Sequence, residues 1–371
     1  VKKTSTENEL RKPPDFAIFF TVLILVGFGL VMVFSASYIL SLESRGDPFF
    51  FLRRQAFWVV LGLAGMIAAS NIGYWKWRKL VLPMLVVNFI LLGAVYIPGI
   101  GIEINEASRW IGVGGFSIQP AEFSKLALII FSAAFLSRKN IRIENFWSSS
   151  FIPLAFTGGT FLLILAQPDL GTALALALIV GIMVFAAGIP WKQLISLLFV
   201  STPLVLYLMI SKEYRMRRIF SFLDPWSDPL DTGYHIIQSL YALGPGGLFG
   251  VGLGRSRQKL YYLPEPQNDF IFAIIGEELG FLGAATVILL FFILIWRGFK
   301  TSLTAPDSYG SLLAAGVTAM VAVQALINIG VVTGSIPITG INLPFISAGG
   351  SSLFFTMFGM GILMNISRYS R

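Results

Sequence analysis

The sequence predicts an all-α polytopic integral membrane protein of about ten transmembrane helices, with a large extracytoplasmic loop between the seventh and eighth. Three observations carry that prediction. Of its 371 residues, 56% are hydrophobic and 12% charged, against about 25% charged in soluble domains. Mean hydropathy is +0.78. Ten separate stretches are apolar over about 17 to 25 residues, the length that crosses a hydrocarbon core.

The predicted spans are 16–40, 54–71, 80–98, 121–137, 151–167, 171–188, 193–211, 269–296, 309–332 and 347–366. They form a single membrane domain over 1–371. A polar tail, 1–15, precedes them with Lys2, Lys3, Arg11 and Lys12. The apolar segment after this tail is too long for the core of a cleaved signal peptide, so it reads as a retained first span. Pro153, Gly171 and Pro203 leave the boundaries around them loose, because membrane helices tolerate both residue types.

An even number of spans puts both termini on one side. With the termini cytoplasmic, fifteen basic residues fall inside and twelve outside, and seven of the twelve lie in the long segment 212–268. Long segments weigh little in setting orientation. The remaining count, fifteen against five, places both termini in the cytoplasm and the connections 97–120, 167–170, 212–268 and 333–346 on the outer face. There is no cysteine and only one histidine, His235, which excludes disulfides, thiolate metal sites and a multi-histidine zinc cage. No repeat relates the two halves, and the 212–268 insertion has no counterpart in the first five spans, which weighs against a transporter built from inverted repeats.

The outer segments carry the unusual chemistry. Arg215, Arg217 and Arg218 open the large loop, and Arg255, Arg257 and Lys259 close it; such groups can hold phosphate through charge-assisted hydrogen bonds, or simply face lipid headgroups. Between them, IIQSLYALG has helical spacing at Ile236, Leu240 and Leu243. GPGGLFGVGLG reads as a pliable connection, since it lacks the lysine and hydroxyl of a phosphate loop. His235, alone in a loop, reads as a surface residue. Glu122 and Lys125 are spaced i, i+3, so they share one helix face and turn toward a polar cavity or snorkel at the interface. Arg109 beside Trp110 fits a headgroup anchor, and Asp169 fits the cap of the sixth span. The segment TGSIPITGINLPFISAGGSSL puts irregular backbone at membrane depth, which requires a cavity border.

Asp269, Glu277 and Glu278 stand near one membrane entry. Asp269 begins the eighth predicted span, and Glu277, eight residues on, lies about 12 Å deeper at 1.5 Å per residue, so the three acids are not one site. Asp269, at the mouth between the basic groups, is the candidate general base or metal ligand, with a simple cap as the alternative. Glu277 and Glu278 read as partners in buried helix contacts.

Several long motifs resemble those of the SEDS family (shape, elongation, division and sporulation), which includes FtsW, RodA and SpoVE. They are FSAS at 34–37, ASRWI and QPAEFSK within 107–125, QPDLGT at 167–172, FLDPWSDPLDTGYHIIQSLYALGPGGLFGVGLG at 222–254, LPEPQNDFIFAIIGEELG at 263–280 and LPFISAGGSS at 343–352. The wording of the large loop is closer to the FtsW and SpoVE branch. The resemblance implies a peptidoglycan glycosyltransferase of the bacterial cytoplasmic membrane that polymerises lipid II at the outer face during division or sporulation. It implies Asp269 as the catalytic residue, accepting the proton of the attacking sugar hydroxyl. The lipid-linked pyrophosphate that leaves needs a cation, for which Arg109, Lys125, Arg215, Arg218 and Lys259 are candidates, with Glu122 and Ser351 beside them in substrate binding. A divalent ion, magnesium or manganese, with Asp269 as a ligand, is a further expectation. Implied partners are a class B penicillin-binding protein, lipid II, undecaprenyl-linked glycan and the membrane, with no nucleic acid. Asn268 stands where the family usually has Thr, and Ala348 where it usually has Tyr. Rival readings are a lipid II transporter, which would need Glu122, Lys125, Glu277 and Glu278 along its path, and a scaffold of the division machinery without catalysis.

Overall fold

The computed structural model describes residues 12–104, 107–113, 116–138, 146 and 150–370; Lys2, Lys3, Arg11, Lys139, Arg142 and Arg371 of the charge census lie outside them. Each predicted span coincides with a helix: α1 (Phe16–Arg45), α2 (Phe50–Asn71), a 3-10 turn (Tyr74–Leu80) running into α3 (Val81–Ala94), α4 (Pro120–Leu136), α5 (Phe151–Ala166), α6 (Leu170–Ala186) and α7 (Trp191–Ile210). After the outer helices α8 (Glu213–Leu223) and α9 (Tyr234–Leu243) come α10 (Ile271–Thr304), α11 (Ser308–Val332) and α12 (Gly350–Ser367). Among the described residues, seven spans are long and apolar enough to cross a membrane by themselves, and α4, α5 and α6 are shorter, at 16 or 17 residues. The chain is a multi-pass membrane protein.

Packing follows composition. The small residues of α11 let neighbouring helices approach closely, and it is buried along most of its length against α4, α6, α10 and α12. The α2 and α12 helices form the most extensive pair: Gly361 faces the Met66 carbonyl with no room for a Cβ. By contrast, none of the described side chains in the apolar window of α7 is buried, and its helix continues through Pro203.

One element was not expected from an all-α reading. Residues after the third span form a three-stranded antiparallel sheet, β1 (Gly101–Ile104), β2 (Ala107–Val113) and β3 (Phe116–Ile118). Its RWIGV and FSI segments carry the β-branched and aromatic residues that suit strands. The sheet lies over the start of α4, directly ahead of Pro120.

The glycine-rich connection is also more than a pliable linker. Gly280 breaks α10 at φ 65°, ψ −162°, a conformation open essentially only to glycine. Across that break the amides of Val251 and Gly252 donate to the carbonyls of Glu277 and Glu278 at 2.9 and 3.0 Å, while Phe281 and Leu282 donate to Gly247 and Leu248 at 2.8 and 3.1 Å. The loop and the broken helix satisfy each other's backbone. A Cβ on Gly280 would lie 2.3 Å from the Gly250 nitrogen.

Gly280→Ala is therefore expected to lower the thermal midpoint in detergent, through about 1–3 kcal/mol of backbone strain plus the overlap. Gly181→Ala, whose added methyl meets nothing within 4 Å, is the control. Equal midpoints for the two variants would contradict the clamp.

Candidate active site

A cavity of about 1180 Å³ lies among the C-terminal end of α1, the N-terminal end of α2, the sheet, the turn before α6, the 264–270 turn and the segment 336–350. Asp269 sits in its wall, half-buried, ahead of α10 rather than inside it. Its backbone is fixed by three successive acceptors. The Ala348 amide donates to the Gln267 carbonyl at 2.9 Å, the Ser347 hydroxyl to that of Asn268 at 2.7 Å and the Asn328 amide to that of Asp269 at 2.8 Å. Asn328 also donates to the Ile341 carbonyl at 2.8 Å, and Gln55 holds the Ser347 carbonyl at 3.1 Å. Helices α2 and α11 thus hold the aspartate loop and the last outer loop against each other.

The side chain of Asp269 is left for the cavity. Among the described residues none donates a hydrogen bond to its carboxylate, whereas Glu265 takes the Asn268 and Gln267 amides at 2.7 and 3.1 Å. Asp169 caps α6 through the Thr172 amide at 3.0 Å, as expected, and accepts from Gln119 at 3.3 Å. Burial first, then the negative charges of Glu265 and Asp169, raise the Asp269 carboxyl from its ordinary range to about 6; Arg218 and Arg109 pull the other way.

Those two arginines form the cationic wall. Arg109, on β2, is aimed by the carbonyls of Gln167 and Pro168, which accept at 3.0 and 2.6 Å. Arg218, on α8, reaches the Ile338 carbonyl at 3.5 Å. Neither has a carboxylate in salt-bridge range among the described residues. Burial, and then Arg109, lower the Arg218 guanidinium below its usual value, the mark of cations held together without neutralisation. Arg215 lines the same wall but donates to the Leu208 carbonyl at 2.9 Å and to the Tyr214 hydroxyl at 2.9 Å. His235 is no surface residue: it faces the cavity and stacks on Phe270 at 5.9 Å. Burial, then Arg218, lower its pKa and favour the neutral ring.

Four expected substrate contacts lie elsewhere. Lys259 is buried in an ion pair with Glu278 at 2.8 Å. Glu278 also accepts from Ser35 at 2.8 and 2.7 Å, and Glu277 takes the Arg257 amide at 2.8 Å and the Ser256 hydroxyl. These two acids therefore bind the 256–259 turn to α10, as buried structural partners. Glu122 and Lys125 pair at 2.8 Å beneath the cavity, around a separate void of about 20 Å³, room for about one water. Ser351 is buried and accepts from the Gln119 amide at 3.1 Å. Sequence reasoning in turn missed Arg54, Gln55, Glu265 and Asn342, which line the cavity, and read Asp169, which lines it too, as a cap.

No group of three or more His, Cys, Asp or Glu side chains is arranged for a metal among the described residues. A lone open carboxylate suits a magnesium-like ion only where substrate phosphates and water complete the octahedron.

A helical membrane bundle with a small sheet, a fixed carboxylate and arginines without carboxylate partners lining one cavity defines a class of polytopic enzyme-like proteins. This chain belongs to the family described as cell cycle protein, that of FtsW, RodA and SpoVE, which matches residues 16–371. It is similar to stage V sporulation protein E of Bacillus subtilis, with 49% identity over 96% of this chain and 98% of that one. A probable peptidoglycan glycosyltransferase FtsW of Geobacter sp. is 42% identical over 96% and 97% of the two chains. Among solved structures, a chain from "Structural coordination of polymerization and crosslinking by a peptidoglycan synthase complex" aligns with TM-score 0.76 and 29% identity, covering 96% of this chain and 98% of that one. The rod shape determining protein RodA of Thermus thermophilus gives 0.71 and 29%, over 96% and 97%.

Glu278→Gln would strand Lys259 as an uncompensated buried charge, at an expected cost of about 3–5 kcal/mol. Adding Lys259→Met should recover most of the loss in a thermal melt. No recovery in the double variant would mean that Lys259 acts beyond this pair.

Proposed function

We propose that this peptidoglycan glycosyltransferase uses Asp269 as its general base in joining lipid II units. The carboxylate accepts the proton of the acceptor sugar hydroxyl as that oxygen forms a bond to the anomeric carbon of the donor. The bond from that carbon to the lipid-linked pyrophosphate breaks, and the electron pair leaves with the phosphate. Arg218 and Arg109 stabilise the charge that develops there, since preorganised cations act strongest where bulk water is excluded. One observation carries the assignment: of the acids facing the cavity, Asp269 keeps its oxygens open while its backbone is fixed. A base with pKa near the operating pH combines a competent protonation state with driving force.

A divalent ion, magnesium or manganese, would be held by Asp269 together with substrate phosphate, and would supply further neutralisation of the leaving group. The enzyme works with a class B penicillin-binding protein in the bacterial cytoplasmic membrane, with both termini cytoplasmic and the cavity outside. The excess of inward basic residues supports that orientation. The family resemblance and a structural neighbour from a peptidoglycan synthase complex support the partner. A transporter reading lacks comparable support, because Glu122, Lys125, Glu277 and Glu278 are each engaged in buried pairs or hydrogen bonds.

Asp269→Asn should reduce polymerisation of purified lipid II by about 10²–10⁴-fold while keeping the thermal midpoint; full polymerisation by this variant would sink the assignment. The pH profile gives a separate check. Because only the ionised carboxylate accepts a proton, kcat/KM should fall as pH drops through about 6. Glu265→Gln removes a like charge and should move this acid limb to lower pH, whereas Arg218→Gln removes an opposing charge and should move it higher. Shifts in the reverse directions would show that the limb belongs to another group.

A further inference from the structure

A second group of cations lines the cavity from α1 and α2. Arg54, in the second turn of α2, lines it half-buried and donates to the Ser117 hydroxyl of β3 at 2.7 Å. Its neighbour Arg53 is neutralised by Asp47, but Arg54 has no carboxylate in salt-bridge range among the described residues. Arg45, at the end of α1, joins this group with its guanidinium 5.0 Å above the Phe50 ring. A guanidinium oriented by a hydroxyl and left without an acid is suited to a phosphate.

The two groups are built into one frame. Ser117 pairs with Gly112 of β2, and Arg109 follows three residues back along that strand, about 10 Å at ~3.3 Å per residue. From the α2 side, Gln55 holds the Ser347 carbonyl and Ser347 holds that of Asn268, next to Asp269. Arg54 and Arg109 are therefore spaced by the sheet, while Arg54 and Asp269 are linked through α2 and the last outer loop.

Substrate chemistry gives the two groups different tasks. In the donor, pyrophosphate sits on the reacting carbon itself, so its cations must stand close to the base. Arg218 and Arg109 meet that condition, being the cations that weigh most on Asp269. In the acceptor, the attacking hydroxyl lies two sugar rings away from the pyrophosphate of the same molecule. Its anionic end must rest in the same cavity at a distance from the base.

We propose that Arg54, anchored by Ser117 and joined by Arg45, holds the pyrophosphate of the acceptor lipid, while Arg109 and Arg218 hold that of the donor. This rests on the polymerase reading, which it deepens by giving the cavity a direction. The reducing end of the incoming acceptor points toward α2, and the bond forms at the Asp269 end.

Two measurements test it on the full chain in nanodiscs of neutral phosphatidylcholine. The first counts undecaprenyl pyrophosphate bound at saturation: wild type should take two per protein, and Arg54→Gln and Arg218→Gln one each. Displacement of the Arg54-dependent equivalent by added phosphatidylglycerol would overturn the proposal, because it would mark a general headgroup site. The second varies donor and acceptor separately, using a lipid II analogue whose attacking hydroxyl is blocked as donor. Arg54→Gln should raise the KM for acceptor about ten- to hundredfold, the scale of one lost charge-assisted group, without moving that for donor. Ser117→Ala, which keeps the charge but frees the arginine, should raise the same KM less. Equal changes in both constants, or none, would overturn the subsite. If wild type binds two equivalents and Arg54→Gln one, yet wild type makes no glycan, the subsite stands and the polymerase reading falls.

Discussion

Backbone polar groups at membrane depth must find partners inside the protein, and the irregular segments around Asp269 and Gly280 meet that requirement. The turn before α10 and the last outer loop are both non-helical, and each supplies what the other lacks. Three consecutive carbonyls, from Gln267 to Asp269, are met by the Ala348 amide, the Ser347 hydroxyl and the Asn328 side chain. The break at Gly280 is closed in the same way by the loop around Gly247 and Val251. With the backbone of Asp269 held from two helices, its side chain points into the cavity with little freedom left to lose on reaching a substrate, which is the structural content of preorganisation.

The same closure sets the electrostatics. Withdrawing water from the cavity wall penalises the charged form of Asp269, and the nearby acids add to that penalty. Arg218 and Arg109 keep the shift moderate. A carboxylate in that balance takes up a proton far more readily than a solvated one and still starts largely ionised near neutral pH. Arg218 is itself poised by the arrangement, since loss of solvation and then the nearby Arg109 destabilise its charge.

The spans were legible because composition and length decide them: all ten coincide with helices, and the loose boundaries at Pro153, Gly171 and Pro203 settled inside helix ends or, for Pro203, within α7. The separation of Asp269 from Glu277 and Glu278 was also visible, from helical geometry alone. What sequence could not give was the folding of the outer segments. A run of glycines looks flexible when read locally, and only the break at Gly280, some thirty residues after Gly250, shows why it must be glycine. Lys259 looked like a phosphate ligand because its partner, Glu278, lies nineteen residues away. Arg54 was only one more charge in the count of basic residues, because nothing near it in sequence announces Ser117, sixty-three residues on.

Lysine and arginine have divided the work of this molecule along lines their chemistry explains. Among the described residues the buried lysines are Lys125 and Lys259, each paired with a glutamate, and a compact ammonium needs only one such neighbour to be tolerated. The cations lining the cavity, among the described residues, are arginines. Arg217 pairs with Glu213 and Arg215 is tied to a carbonyl and hydroxyls, but Arg54, Arg109 and Arg218 are held by neutral oxygens that orient the guanidinium without cancelling its charge. A planar fork oriented in this way still presents donors to a phosphate, which an ion-paired lysine does not. These three arginines are thus placed by the fold yet left electrically uncompensated, and Asp269 is their anionic counterpart.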